Sequence, residues 1–238
     1  MLCMVSLSAM DRLGRALRDG TLTPADIDLL AELRVGWERG LVALVSILEQ
    51  EFLNEPILIS SREKNLGTLR EKLLRLSGGL SSIRDIMGCR LVVEGTRHDQ
   101  SQVVLRLLGL FQMNQPRVIS RLTDPRAGYR AVHVEVRLRE GRAEIQVRTR
   151  AQHEWADAME RFGDRVGRGI RYDDDSFAHL PLSTGALARE CLVALMAWSE
   201  EIDVWERSGS PPGGNVAEKM TAAHERVIST MEDLDESL

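Results

Sequence analysis

The chain has 238 residues, of which 43% are hydrophobic and 28% charged, and it carries a formal net charge of −5. That length buries a substantial core, as one domain with appendages or as two small ones, and the composition is that of an ordinary soluble globular protein. The acidic balance argues against a globally basic nucleic-acid binder but leaves room for a local basic patch, and three widely spaced cysteines without a CxxC pair (Cys3, Cys89, Cys191) argue against a disulfide framework or a zinc site.

In chain order, MLCMVSLSAM is apolar but too short to span a bilayer and lacks a basic start, so no membrane partner is expected and the cytoplasm is the expected compartment. The first fifty residues read as helical. TLTPADIDLLAEL has Thr23 as a cap, Pro24 at the first helical position and acids in the first turn, and 41–53 reads as a second, apolar helix. PILIS (56–60) reads as a short strand. Helical spacing returns over 65–76, with Leu66, Leu69, Leu73 and Leu76 on one face, and Ser77-Gly78-Gly79 ends it.

GCRLVVE (88–94) is a buried-strand candidate, followed by a helix over 99–110 and a strand near 117–121. Residues 132–148 then alternate apolar and polar as a β-hairpin. With Glu140-Gly141 as the turn, 137 faces 144, 135 faces 146 and 133 faces 148. His133, Glu135, Arg137, Glu144, Gln146 and Arg148 then share one face. Helices follow over 150–166 and 182–206, a Gly/Pro-rich joint lies at 208–214, and an amphipathic helix carries Val216, Met220, Ala223, Val227, Met231 and Leu234. Strands alternating with helices predict a mixed α/β sheet flanked by helices.

Several residues could carry chemistry. The polar hairpin face is either a solvated face with cross-strand Arg–Glu pairs or part of a nucleotide site, since arginine grips phosphate and stacks on bases while a carboxylate holds a metal or takes a proton. Asp85, just before a strand, is either a turn residue or a magnesium ligand paired with a second carboxylate. Of 31 basic residues only Lys64, Lys72 and Lys219 are lysine, and two of these sit in one segment, SREKNLGTLREKL. Arg161, Arg165, Arg168 and Arg171, three or four apart, form either a solvated helix face or a phosphate-contacting patch. The His98-Asp99 pair reads as a helix start.

Taken together, RxK…TLxxK (62–72), RDIxGCR (84–90), GYRAVH (128–133), EIQVRT (144–149) and QHEWA (152–156) resemble, in order and spacing, the RelA/SpoT synthetase domain. The resemblance covers roughly residues 55–172, with N-terminal helices over 1–54 and C-terminal helices over 173–238 left for packing, oligomer formation or partner docking. It implies a nucleotidyltransferase-like α/β (α+β) fold and magnesium-dependent transfer of the β,γ-pyrophosphate of ATP to a ribose 3′-hydroxyl of GDP or GTP, making the alarmones ppGpp and pppGpp.

By the same resemblance, Arg62 and Arg90 sandwich the adenine, and Lys64, Thr68 and Lys72 hold the ATP phosphates. Asp85 binds Mg2+. Glu144 completes the metal site or activates the acceptor hydroxyl. Tyr129 stacks on the acceptor base, His133, Gln146 and Arg148 line the pocket, and His153 lies near the acceptor. The family's longer basic loop before the tyrosine is here TDPRAGY, with Arg126 as the nearest basic group, which leaves the acceptor contacts open. The lack of a hydrolase HD domain implies a short synthetase, and MERFGDRVGRGIRY resembles the toxic members of that class. Those use adenine nucleotides or the tRNA 3′-CCA end as acceptor and are neutralised by an antitoxin. A homo-oligomer and a degenerate, non-enzymatic nucleotide- or RNA-binding module are further expectations.

Overall fold

The computed structural model describes residues 5–63, 66–75, 78–167, 169–170, 177, 179–208 and 214–237. Two helices open the chain, α1 (Leu7–Asp19) and α2 (Pro24–Glu51). Thr23 caps α2 as its sequence predicts: its hydroxyl accepts from Asp26 N at 3.2 Å, and Asp26 returns a bond to Thr23 N at 3.0 Å. The two helices predicted across this stretch are one. Nothing between them breaks the backbone, and Gly36 and Gly40 are tolerated inside it.

Then follow β1 (Ile57–Glu63), α3 (Leu66–Arg75), β2 (Met87–Val93), α4 (Arg97–Leu110), β3 (Arg117–Ser120), β4 (Val132–Leu138), β5 (Gly141–Thr149), α5 (Arg150–Val166), α6 (Leu182–Ser208) and α7 (Gly214–Ser237). The strands form one five-stranded mixed sheet in the order β1-β2-β5-β4-β3, with helices around it, which is the α/β architecture expected.

The alternation in the hairpin is real: Val134, Val136, Ala143, Ile145 and Val147 are fully or almost fully buried. Its register differs from the prediction. β4 ends at Leu138 and β5 begins at Gly141, so the turn is Arg139-Glu140. Moving the turn by one residue moves each facing pair by two and keeps the faces. Arg137 now lies across from Arg142, and His133 across from Gln146 rather than Arg148. Gly141, at φ 146°, takes a backbone conformation that a side chain would strain.

The residues group into two compact units. The first comprises Met1–Leu91, Leu107–Val118 and His133–Gln146. The second comprises Val92–Arg106, Ile119–Val132 and Val147–Leu238, and its core joins α5, α6 and α7 through Trp155, Phe162, Leu195, Trp198, Val227 and Leu234. Ala223, Val227, Met231 and Leu234 of the α7 stripe are therefore used inside the second unit. Asp99 accepts from Thr96 N at 2.8 Å and starts α4, so the His98-Asp99 pair is a helix start. Cys89 and Cys191 are buried free thiols, pushed up to about 12 by that burial, and Cys3 lies outside the described residues. Among the described residues no helix is long and apolar enough to cross a membrane.

Candidate functional site

In the first unit, α3 buries Leu69 and Leu73, which leaves Thr68 and Lys72, four residues apart, together on a half-buried face. Lys72 Nζ reaches Asp85 Oδ1 at 2.5 Å, just before β2. Arg90 lies half-buried in β2, between Cys89 and Leu91, both buried. Arg62 lies in the backbone of β1, and Lys64 lies outside the described residues.

Across the hairpin, His133 Nδ1 donates to Glu144 Oε1 at 2.9 Å, and Gln146 Nε2 donates to Glu144 Oε2 at 3.0 Å. Both carboxylate oxygens are thus held. Burial pushes the Glu144 pKa up and so, more weakly, does the nearby charge of Asp85. The hydrogen bond and charge of His133, with the Gln146 bond, outweigh them and bring it below the ordinary value. Glu144 is an ionised carboxylate that feels Asp85. Lys72, Asp85, His133, Glu144 and Gln146, predicted from distant motifs, are brought together in this way.

The second unit holds the other predicted residues. Arg148, 3% exposed, donates from Nη2 to the Tyr129 hydroxyl at 3.0 Å and lies over the Tyr129 ring, 5.0 Å from its centroid. His153 Nε2 is 3.5 Å from Asp157 on the same helix. Arg126 is exposed, and its carbonyl accepts from Tyr129 N at 2.9 Å, closing the turn that presents the tyrosine. Of the arginine series, Arg165 is committed to Asp235 of α7, with Nη2 donating at 2.8 Å, so it is an ion-paired helix contact. Arg168 and Arg171 lie outside the described residues.

Sequence reasoning missed a buried polar network around Tyr129. Ser199 of α6 donates to the Gly128 carbonyl at 2.6 Å, and Arg130 Nε donates to Ser199 Oγ at 3.2 Å. Arg130 also donates to the Leu122 carbonyl at 2.7 Å and to Glu200 at 2.7 Å. Asp203 pairs with Arg97, and Glu206 accepts from Thr149 and, at 2.7 Å, from Gln152. The signal was available: Ser199, Asp203 and Glu206 share the apolar face of α6 with Leu195 and Ile202, where polar groups need partners. Arg84, beside Asp85, was also missed. Its Nη1 bonds both oxygens of Glu135, at 3.2 and 2.8 Å.

Asp85 and Glu144 suit a hard divalent cation whose remaining ligands come from substrate oxygens, because magnesium typically takes one or two protein carboxylates. Their mutual repulsion, visible in the upward push of Asp85 on Glu144, is what such a cation relieves. Among the described residues no three His, Cys, Asp or Glu side chains gather into a cage that would hold a metal unaided.

Residues 61–161 match the family described as the region found in RelA/SpoT proteins. Over 172 residues the chain is 40% identical to an uncharacterized protein of Mycobacterium tuberculosis (strain H37Rv) and, equally, to one of Mycobacterium bovis, covering 71% of this chain. It spans 63% of the length of those relatives. Among solved structures it is similar to the small alarmone synthetase 2 of Bacillus subtilis, with a TM-score of 0.51 and 25% identity over 76% of this chain and 99% of that one. It shares its fold with the small alarmone synthetase 1 of the same organism, bound to its product pppGpp. There the TM-score is 0.56 and the identity 19%, over 76% of this chain and 94% of that one.

Proposed function

We propose that this chain, a RelA/SpoT-type protein through its residues 61–161, is a magnesium-dependent pyrophosphokinase that transfers the β,γ-pyrophosphate of ATP to the ribose 3′-hydroxyl of GDP or GTP. One observation carries the reading: an ionised Glu144, anchored by His133 and Gln146, feels Asp85, which is itself held by the lysine of the phosphate-binding motif. The likeness to a small alarmone synthetase at 25% identity supports it.

In this reading Arg62 and Arg90 take the adenine, and Lys64, Thr68 and Lys72 take the phosphates, with Lys72 exchanging Asp85 for phosphate oxygens as ATP arrives. Magnesium held by Asp85 and Glu144 would neutralise the phosphate charge as the transition state forms. Tyr129 stacks on the acceptor base, braced by Arg148, while Arg126 and His153 contact the acceptor. The acceptor 3′-oxygen bonds to the β-phosphorus, the bond from that phosphorus to the α–β bridging oxygen breaks, and AMP leaves.

The proton of the 3′-hydroxyl needs a base. Glu144, ionised and held by His133 and Gln146, is a weak one at neutral pH and takes the proton late, as the bond to the β-phosphorus forms.

The test is product analysis. The protein is incubated with magnesium and γ-labelled ATP, and GDP, GTP, AMP or bulk tRNA is offered separately. Label on the guanine nucleotides is the expected result. Label confined to AMP or tRNA keeps the chemistry and overturns the acceptor, and no transfer to any of them overturns the reading.

A further inference from the structure

The same face of the first unit carries a second charged cavity that the pyrophosphokinase reading does not use. It measures about 260 Å³ and is lined by Arg84, Gln115, Arg117, Glu135, Arg137 and Arg142. Four guanidinium groups surround one carboxylate. Glu135 is engaged by Arg84 and, among the described residues, Arg117, Arg137 and Arg142 have no carboxylate partner.

Three features separate this arrangement from a solvated sheet face. First, Arg137 and Arg142 lie across from each other at the end of the hairpin, and like charges in a facing pair destabilise a sheet. A face built only for solubility would place an acid opposite one of these arginines. Second, Gln115 lines the cavity with φ 50°, the left-handed residue that ends the short helical turn Gln112–Asn114 and sets the backbone at the cavity's edge. Third, the segment that carries it is tied down: Asn114 Nδ2 donates to the Arg137 carbonyl at 2.7 Å, which fixes Gln115 and Arg117 against β4. The backbone that carries Gln115, Arg117 and Arg137 is therefore fixed at the rim of the cavity.

We infer that this cavity is a binding site for an oligophosphate anion, either free or as the tail of a nucleotide. Guanidinium forks pair with phosphate oxygens in bidentate fashion, and three without acidic partners balance the charge of a di- or triphosphate. The volume points the same way. It lies below the roughly 300–1,000 Å³ typical of sites that enclose a drug-sized molecule and suits a phosphate chain, with any attached nucleoside left outside. The inference does not rest on the proposed transfer reaction: it stands or falls by binding, with or without turnover.

The test is calorimetric titration of tripolyphosphate, without metal, into protein carrying Lys72→Ala, which weakens phosphate binding at the donor cluster of Lys64, Thr68 and Lys72. The expected result is one anion bound per chain, weakening as salt is raised. Adding Arg137→Ala and Arg142→Ala lowers the affinity at least tenfold. The double change to lysine, which keeps the charge but loses the fork, gives an intermediate loss. ATP titrated in the same background distinguishes the sources: binding lost with the arginines identifies a nucleotide tail, and no ATP binding identifies a free oligophosphate. Arg137 is exposed and Arg142 half-exposed, so both variants fold, and thermal melting checks this. Tripolyphosphate binding unchanged by the arginine replacements, or absent from the Lys72→Ala protein, overturns the proposal.

Discussion

Two polar clusters in this protein use the same residue types for different ends. In the first unit, Lys72, Asp85, His133, Glu144 and Gln146 lie at a half-open surface, and the Lys72–Asp85 pair leaves about a quarter of each side chain exposed (27% and 20%). In the second, Arg97, Arg130, Asp203 and Glu206 are nearly sealed and joined to one another and to backbone carbonyls around Leu122 and Gly128. What distinguishes them is the state of their partners. A cluster that is partly exposed and held by exchangeable ion pairs can trade those partners for substrate. A sealed cluster cannot open without leaving charges buried, so it braces the fold.

The comparison is broken most directly by exchanging the outcomes of two mutations. Asp85→Asn is expected to lower transfer about 10²–10³-fold in a labelled-ATP assay while leaving the melting curve almost unchanged, since the lost ion pair is partly exposed. Asp203→Ala is expected to do the reverse in kind. It removes the carboxylate that faces both Arg97 and Arg130, leaving two nearly buried guanidiniums with less compensating charge, and costs about 3–5 kcal/mol of stability in denaturant titration. A stable Asp203→Ala protein would show that the second cluster is not a brace.

A smaller effect is expected at Gly128. Its φ is 78°, and an added Cβ would sit 2.8 Å from the Trp155 ring and 3.0 Å from Met196 Sδ. Gly128→Ala should cost about 1–3 kcal/mol and shift Tyr129, read as weaker acceptor binding with ATP binding intact.

The smallest effect is a pH dependence. Burial pushes the Glu206 pKa up despite its bonds from Thr149, Gln152 and Arg97. A carboxyl with a raised folded-state pKa binds more protons folded than unfolded, so stability falls as pH rises from the ordinary carboxyl value through the raised one. Wild type should therefore lose ground to Glu206→Gln over that window in melting experiments. Glu144 has the opposite sign. Its contribution is present above the ordinary value and is lost as pH falls through its lowered pKa.

How much of this was legible in the sequence follows from where each signal lies along the chain. The hairpin, the capped α2 and the strand at 88–94 were readable because alternation and caps are local. The hairpin turn was misplaced by one residue because Glu140-Gly141 and Arg139-Glu140 preserve the same alternation, and only the strand ends at Leu138 and Gly141 decide between them. Motif resemblance singled out Lys72 and Asp85 one by one, but not their ion pair, since periodicity says nothing about side chains 13 residues apart. The bonds from α6 to Arg130 and Thr149 span 70 and 57 residues, and no local pattern announces them beyond polar residues on an apolar face.

If the anchored Glu144 carboxylate works in transfer and not in holding the fold together, Glu144→Gln separates the two roles when transfer from γ-labelled ATP and thermal melting are measured on the same sample. The expected result is a folded protein with transfer reduced about 10³-fold. Transfer within tenfold of wild type in a folded Glu144→Gln protein would contradict it.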